Sequence, residues 1–371
     1  MKQRIRLLPL ALAALLAAGV GHEIYLAGTR QESSPFSAAL LSLNGLARLA
    51  LGQSYVDGDL TPPPNAVQIA TVRLRDGSLG SPVLSAPDMT PAAARTIAFQ
   101  KALAAQGIPF LYVQAPGDVA PEDPRLPPGL TENGNAAADA FLAALDGAGV
   151  TTLDLRGGMA AQFFATDHHW RPGAALEAAQ QTARQLQRSG IPAAADALDP
   201  VRFPVRRYPR LLLGSEGKRA GLLFAGADDF DLPLPDFSTD LTVTIDSGGL
   251  QDTEADGPRR GSFSASVLHL GELVRENRYQ SRPYQVFFGG SWPRVSVINA
   301  AAAEGYILLI GDSFTTSFGA YLSLGVHRLE ILDPRLYPDG IQAFALETQP
   351  DAVVLLHNTG SMFTQGLYVF S

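Results

Sequence analysis

Ser313 stands where a serine becomes useful as a nucleophile. It closes the stretch Tyr306-Ile307-Leu308-Leu309-Ile310-Gly311-Asp312-Ser313, and a helix-compatible segment follows from Phe314. A short apolar run bounded this way reads as a buried strand. The turn after it lifts the serine above the sheet, next to the first free N–H groups of a helix, which suit an anion or an oxyanion. A serine hydroxyl is a poor nucleophile alone and needs a base that a third group orients. Of the six histidines, His169 has the right setting, in Thr166-Asp167-His168-His169-Trp170. On an extended segment Asp167 and His169 point the same way. The carboxylate then holds the imidazole in one tautomer and stabilises it once protonated. Trp170 is placed to shield the pair from water. Two blander readings stand beside this one. Asp-His-His is a ligand-rich triplet, and histidines are often structural. His22, His269, His327 and His357 are scattered and supply no further ligand cluster, so neither metal nor cofactor is expected.

Two more residues sit at strand ends. Asp351 to His357 reads as a second buried strand ending in Asn358. An amide there can donate into the same oxyanion hole as the Ser313 N–H, or Asn358 is an ordinary turn residue. Arg335, in Asp333-Pro334-Arg335, either points at the site or only pairs with Asp333.

The elements that position these residues alternate between helix and strand. Pro91 opens a helix to about Gln106, Phe110–Val113 is a strand, Pro116–Leu130 is a proline-rich loop placed to line a site, and Asn135–Leu145 is a second helix. Val150–Leu155 is the next strand, and Pro172-Gly173 opens a long helix to about Arg188. The alternation resumes at Tyr306, with a helix to about Leu324, a strand at Arg328–Leu332, a helix near Ile341–Glu347 and a strand at Ala352–Leu356. Such a pattern builds a parallel sheet covered by helices on both faces. Between about 200 and 300 short β-prone runs take over, at Leu241–Ile245, Ser264–Leu268, Tyr284–Phe288 and Arg294–Ile298. They predict an antiparallel insertion or edge layer. Upstream, Ser37–Leu51 reads as an amphipathic helix weakened by Gly45. Val67–Arg75 followed by Asp76-Gly77 reads as a hairpin.

The chain of 371 residues, 46% hydrophobic and 17% charged, is long enough for a sizeable core. A net charge of -8 argues against a nucleic-acid partner. The absence of Cys excludes disulfides, thiolate nucleophiles and thiolate metal sites. Lys2, Arg4 and Arg6 precede the apolar stretch Leu7–Val20, the shape of an export signal or N-terminal membrane anchor. The expected organisation is therefore a signal peptide or anchor over 1–28, a linker and N-terminal helix over 29–66, and one domain over 67–371. The mature chain is expected outside the cytoplasmic membrane, anchored or secreted.

Gly311-Asp312-Ser313 with Asn358 two strands later resembles the serine and asparagine blocks of SGNH hydrolases. The Asp-x-His pair ahead of the serine is similar to the alginate O-acetylation proteins of the AlgJ and AlgX type, whose domain is a permuted SGNH fold. Asp167-His168-His169-Trp170 is closer still to the bacterial DHHW family. Gly214-Ser215-Glu216-Gly217, Asp228-Asp229-Phe230 and Asp333-Pro334-Arg335 share that look. The Asp–His spacing is one residue shorter than in most SGNH enzymes, and no segment is an unambiguous Gly block. The resemblance implies a three-layer α/β/α, circularly permuted SGNH-like domain. It implies Ser313 as nucleophile, His169 as base and Asp167 as its orienter, with Asn358 as an oxyanion donor. The reaction it implies is O-acetyl transfer to a cell-envelope or exported polysaccharide, the donor delivered by a multi-pass membrane acyltransferase. A carbohydrate esterase of the same fold and a non-catalytic polysaccharide- or partner-binding protein are the alternatives.

Overall fold

A computed structural model describes residues 35–57, 68–85, 88–159, 162–249, 257–273, 278–364 and 366–370. The expected export segment over 1–28 and much of the linker lie outside the described residues. Among those described, no helix is long and apolar enough to cross a membrane.

An eight-stranded sheet organises the molecule. In chain order its strands are β1 (Phe110–Ala115), β2 (Thr151–Asp154), β3 (Leu241–Asp246), β4 (Gly257–Gly261), β5 (Arg294–Asn299), β6 (Tyr306–Gly311), β7 (Arg328–Leu332) and β8 (Ala352–Asn358). Their spatial order is β4-β3-β5-β7-β6-β8-β1-β2. The five from β7 to β2 run parallel, and β5, β3 and β4 extend the sheet in antiparallel fashion. Successive residues of β6 and β8 enter opposite cores, as period-two geometry requires. Ile307, Leu309, Val354 and Leu356 join one core, and Leu308, Ile310, Val353 and Leu355 join the other. Strands buried on both faces read as continuous apolar runs, which is why the sequence marks them so clearly.

Helices cover both faces. α1 (Pro35–Ala50) lies outside the sandwich. α2 (Thr90–Ala104) and α3 (Gly134–Gly147) pack on one face through Phe99, Leu103, Phe141 and Leu145. α4 (Pro172–Arg188) packs on the other through Ala175, Leu176, Ala179 and Leu186, followed along the chain by α5 (Ser215–Ala220). α6 (Phe314–Leu322) lies beside α4, and α7 (Ile341–Thr348) returns to the α2 side. This is a three-layer α/β/α architecture, as the alternation of helix and strand implies.

The region 200–300 departs from expectation in detail. Leu241–Asp246 and Arg294–Asn299 are strands, and they extend one edge of the central sheet in antiparallel fashion. Ser264–Leu268 and Tyr284–Phe288 are not strands: Phe263–Ser266 is a helical turn, Pro283–Val286 a 3₁₀ turn, and one bridge, Leu268 to Phe287, joins them. The turns bury Phe263, Val267, Val286 and Phe287 on one side, and Pro283 brings no N–H to a ladder. Conversely Gly257–Gly261 pairs as an edge strand although its sequence is Gly-Pro-Arg-Arg-Gly. An edge tolerates proline because one side needs no partner.

Gly45 proves to be a contact point rather than a weak spot. An added Cβ there would lie 2.6 Å from the Ala220 carbonyl oxygen and 2.8 Å from Phe224 Cβ. α1 therefore approaches the segment after α5 as closely as a bare backbone permits.

Candidate active site

Ser313 sits at the turn from β6 into α6. Gly311 opens that turn and has no room for a side chain, since a Cβ would meet Leu356 O at 2.5 Å and Thr315 Cγ2 at 2.6 Å. The Asp312 carboxylate accepts from Phe314 N–H at 3.0 Å, and the Asp312 carbonyl accepts from Thr315 N–H at 2.9 Å. Those bonds consume the early helix donors. The Ser313 N–H is left without a hydrogen-bond partner among the described residues.

The histidine motif is not an extended segment. Phe163 and Trp170 form a bridge, and residues 164–169 loop out between them. Asp167 Oδ1 accepts from the His169 N–H at 3.0 Å, an Asx-type turn that folds the carboxylate back towards the imidazole. The same oxygen lies 2.5 Å from His169 Nδ1, and His169 Nε2 lies 2.8 Å from Ser313 Oγ. Structure thus brings Ser313, His169 and Asp167 into one line, by a turn where strand alternation was expected.

Neighbours from two segments hold this loop. Asp228 accepts from Ala165 N–H, Thr166 N–H and Thr166 Oγ1 at 2.9, 2.9 and 2.7 Å. Ser215 N–H donates to Asp167 Oδ2 at 2.7 Å, and Gly214 N–H to Thr166 Oγ1 at 2.9 Å. The motifs Gly214–Gly217 and Asp228–Phe230 thereby acquire a physical role as the mounting of the histidine loop. Gly214 leaves no space: a Cβ would lie 2.2 Å from Thr166 O and 2.3 Å from Asp167 Cβ. Gly214→Ala is expected to cost about 1–3 kcal/mol through overpacking, seen as a lower urea midpoint, and to depress activity with it. An unchanged midpoint and unchanged activity would show that the loop simply yields.

Burial works against a charge on Asp167. The His169 imidazole, its hydrogen bond, His168 and the Ser215 N–H outweigh it and hold the carboxyl well below the usual range. The His169 ring is sandwiched between His168 and Tyr284, each with ring centroids 4.1 Å away. His168 Nδ1 lies 3.1 Å from both Glu216 Oε1 and Ser215 Oγ. Burial pulls its pKa down, but the bond to Glu216 and the charges of Asp167, Glu216 and Asp118 lift it to about 9.

Trp170 does not cover the pair from solvent. It is fully buried beneath the site, 5.0 Å from the Phe314 ring, and donates from Nε1 to Ser317 Oγ at 3.1 Å. Ser317 Oγ also lies 2.7 Å from Tyr284 OH, so the tryptophan supports the ring that flanks His169. Packed against Phe314 and Phe318 and fully buried, the indole does not reach the cavity.

Ser313 opens into a cavity of about 410 Å³. Asn358 and Arg335 line it, together with Gly117, Asp118, His168 and Glu216. Asn358 Oδ1 accepts from Gly360 and Ser361 N–H at 2.7 and 2.9 Å, and Nδ2 donates one hydrogen to Ser361 Oγ at 2.7 Å, leaving the second. Asn358 is thus a turn residue whose side chain also lines the cavity. Arg335 likewise does both: it lines the cavity while gripping Asp333 through Nε at 2.9 Å and a terminal nitrogen at 2.6 Å. The proline-rich loop Pro116–Leu130 lines the cavity as expected, through Gly117, Asp118 and Val119, although the sequence did not single out these residues within it. The signal was Ala115-Pro116-Gly117 at the end of β1, where a Gly117 Cβ would meet Thr359 Oγ1 at 2.2 Å. Sequence reasoning missed the far wall, where the small hairpins near Thr71, Ser81 and Val83 close the cavity.

Asp167, His168 and His169 offer ligand atoms within 4.8 Å of one another. Each is already bonded within the site, so a metal ion would have to displace the Ser313, Asp167 or Glu216 contacts.

Residues 76–211 match the family model for the SGNH hydrolase-like domain of acetyltransferase AlgX. Among solved structures, a DHHW family protein from Eubacterium siraeum superposes with a TM-score of 0.62 at 17% identity, covering 85% of this chain and 96% of that one. PatB1 from Bacillus cereus gives 0.65 at 14% identity, covering 82% and 100%, and has also been solved with a sulfonyl adduct. No curated protein sequence matches. The domain is SGNH hydrolase-like, similar to the AlgX type and, in fold, to these two proteins.

Proposed function

From this SGNH-like premise, we propose that the chain is an O-acetyltransferase acting on a cell-envelope or exported polysaccharide through an acyl-serine intermediate. The unbroken hydrogen-bonded line from Ser313 through His169 to Asp167, ending in a cavity, carries the reading. His169 Nε2 takes the Ser313 proton as Oγ attacks the acyl carbonyl. Negative charge develops on the carbonyl oxygen, beside the Ser313 N–H, with the spare Asn358 Nδ2 hydrogen and the Gly117 backbone completing the hole. The leaving group departs with the proton from His169, and the acetyl group remains on Ser313. A sugar hydroxyl then gives its proton to His169 and attacks the ester, and Ser313 recovers its proton as the acetylated sugar leaves.

Water in place of the sugar would make the same site an esterase. The acetyltransferase match and the polar walls near Thr71, Ser81 and Thr359 favour transfer. Work outside the cytoplasmic membrane, with a multi-pass membrane acyltransferase supplying the acyl group, belongs to this reading through the Lys2/Arg4/Arg6 flank and the Leu7–Val20 stretch. The test supplies 4-nitrophenyl acetate with and without an oligosaccharide mixture from envelope glycans. Slow release of acetate alone, and acetylated sugar when acceptor is present, are expected. Rapid acetate release unaffected by any acceptor identifies an esterase. A chain that binds the glycan and turns over neither substrate is a binding protein.

A further inference from the structure

The charges around the cavity are unevenly matched. Three cationic side chains line it, and each already has a carboxylate. His168 is held by Glu216 at 3.1 Å, Arg219 lies 3.5 Å from Glu216, and Arg335 grips Asp333. Glu132 is engaged at the start of α3 by the Gly134 and Asn135 N–H groups at 2.6 and 3.0 Å. Asp118 differs. Its Oδ2 accepts from Ser81 N–H at 2.9 Å, yet no cation lies within ion-pair distance of it among the described residues. Glu216 faces the same space, with Ser81 Oγ 3.4 Å from Glu216 Oε1.

Resting on the acyl-transfer reading, we propose that this cavity takes uncharged sugars and rejects uronates, with Asp118 as the discriminating residue. A uronate carboxylate would meet Asp118 and Glu216 and find every guanidinium already spent on a partner. Like charges brought together at low dielectric are penalised by more than a well-placed hydroxyl gains. A sugar hydroxyl, by contrast, can donate to Asp118 Oδ1 at no electrostatic cost. Burial and then the Glu216 charge push the Asp118 carboxyl up to about 7, with His168 and the Ser81 N–H opposing, so the crowding exists before any ligand arrives.

The experiment compares two nearly isosteric acetyl esters, 3-carbamoylphenyl acetate and 3-carboxyphenyl acetate. Each rate of Ser313 acetylation, read as the phenol burst, is divided by the ester's rate with hydroxide. At pH 8 the uncharged ester is expected to react about tenfold faster or more. That ratio should shrink in Asp118→Asn, in which the amide oxygen still accepts from Ser81. In the unmodified chain it should shrink below pH 7, as Asp118 takes up a proton, and in molar salt. A ratio at or below one overturns the proposal. So does a ratio that ignores pH, salt and Asp118→Asn together. Acetylation by neither ester overturns the acyl-serine reading and this inference with it, whereas equal acetylation by both overturns this inference alone.

Discussion

Ser313→Ala is expected to lower acetyl turnover by about 10³-fold or more, with the protein as stable as before. The hydroxyl contacts His169 alone among side chains, at 2.8 Å, so its loss leaves no unsatisfied core group. If the three residues act as the proposed unit, Ser313→Ala combined with His169→Ala should be no slower than either change alone. Turnover is measured with an activated acetyl ester, stability by urea denaturation. Residual activity within tenfold of the unmodified chain would remove Ser313 from the chemistry.

Asp167→Asn comes next in size, with an expected loss of about 10³- to 10⁴-fold. Asp167 accepts from the His169 N–H and the Ser215 N–H and faces His169 Nδ1, which an amide cannot match with both of its ends. The change also acts on stability. A carboxyl held below its unfolded value contributes stability above about pH 3.9, and that contribution is lost as pH falls towards the folded value. Asp167→Asn should therefore cost on the order of 2 kcal/mol at pH 7. That cost should narrow below pH 4. Urea midpoints at the two pH values check it; a cost that is constant with pH would mean that Asp167 is not held ionised by these partners.

What could be read from the sequence follows from where the physics is local. β6 and β8 are buried on both faces, and a strand of that kind writes itself as Ile-Leu-Leu-Ile or Val-Val-Leu-Leu. α4 announces itself by Pro172 at its start. The pairing of Ser313 with His169 rested on residue chemistry, and the two lie 144 positions apart. The loop that holds Asp118 could be read as lining a site, but Asp118 itself could not be singled out, because its significance lies in what surrounds it: Ser81, Glu216 and His168 come from three separate segments. Gly257–Gly261 was illegible for another reason, since its strand is held by backbone pairing with β3 and its side chains carry no period. The indole of Trp170 misled because a tryptophan beside a candidate base reads equally as lid or as foundation, and only packing decides.

β8, the last of the described strands, lies in the middle of the sheet between β6 and β1. On the ribosome, the strands preceding it emerge first, with β1 and β6 each presenting an open flank where β8 belongs. Those flanks are apolar on both faces and invite the wrong partner. The Ser313 turn, the histidine loop and Asn358 also find their shared cavity only once β8 is seated. Biogenesis therefore carries a waiting period in which nearly the whole domain has been synthesised and none of it can work, the interval in which slow long-range pairing exposes a chain to aggregation.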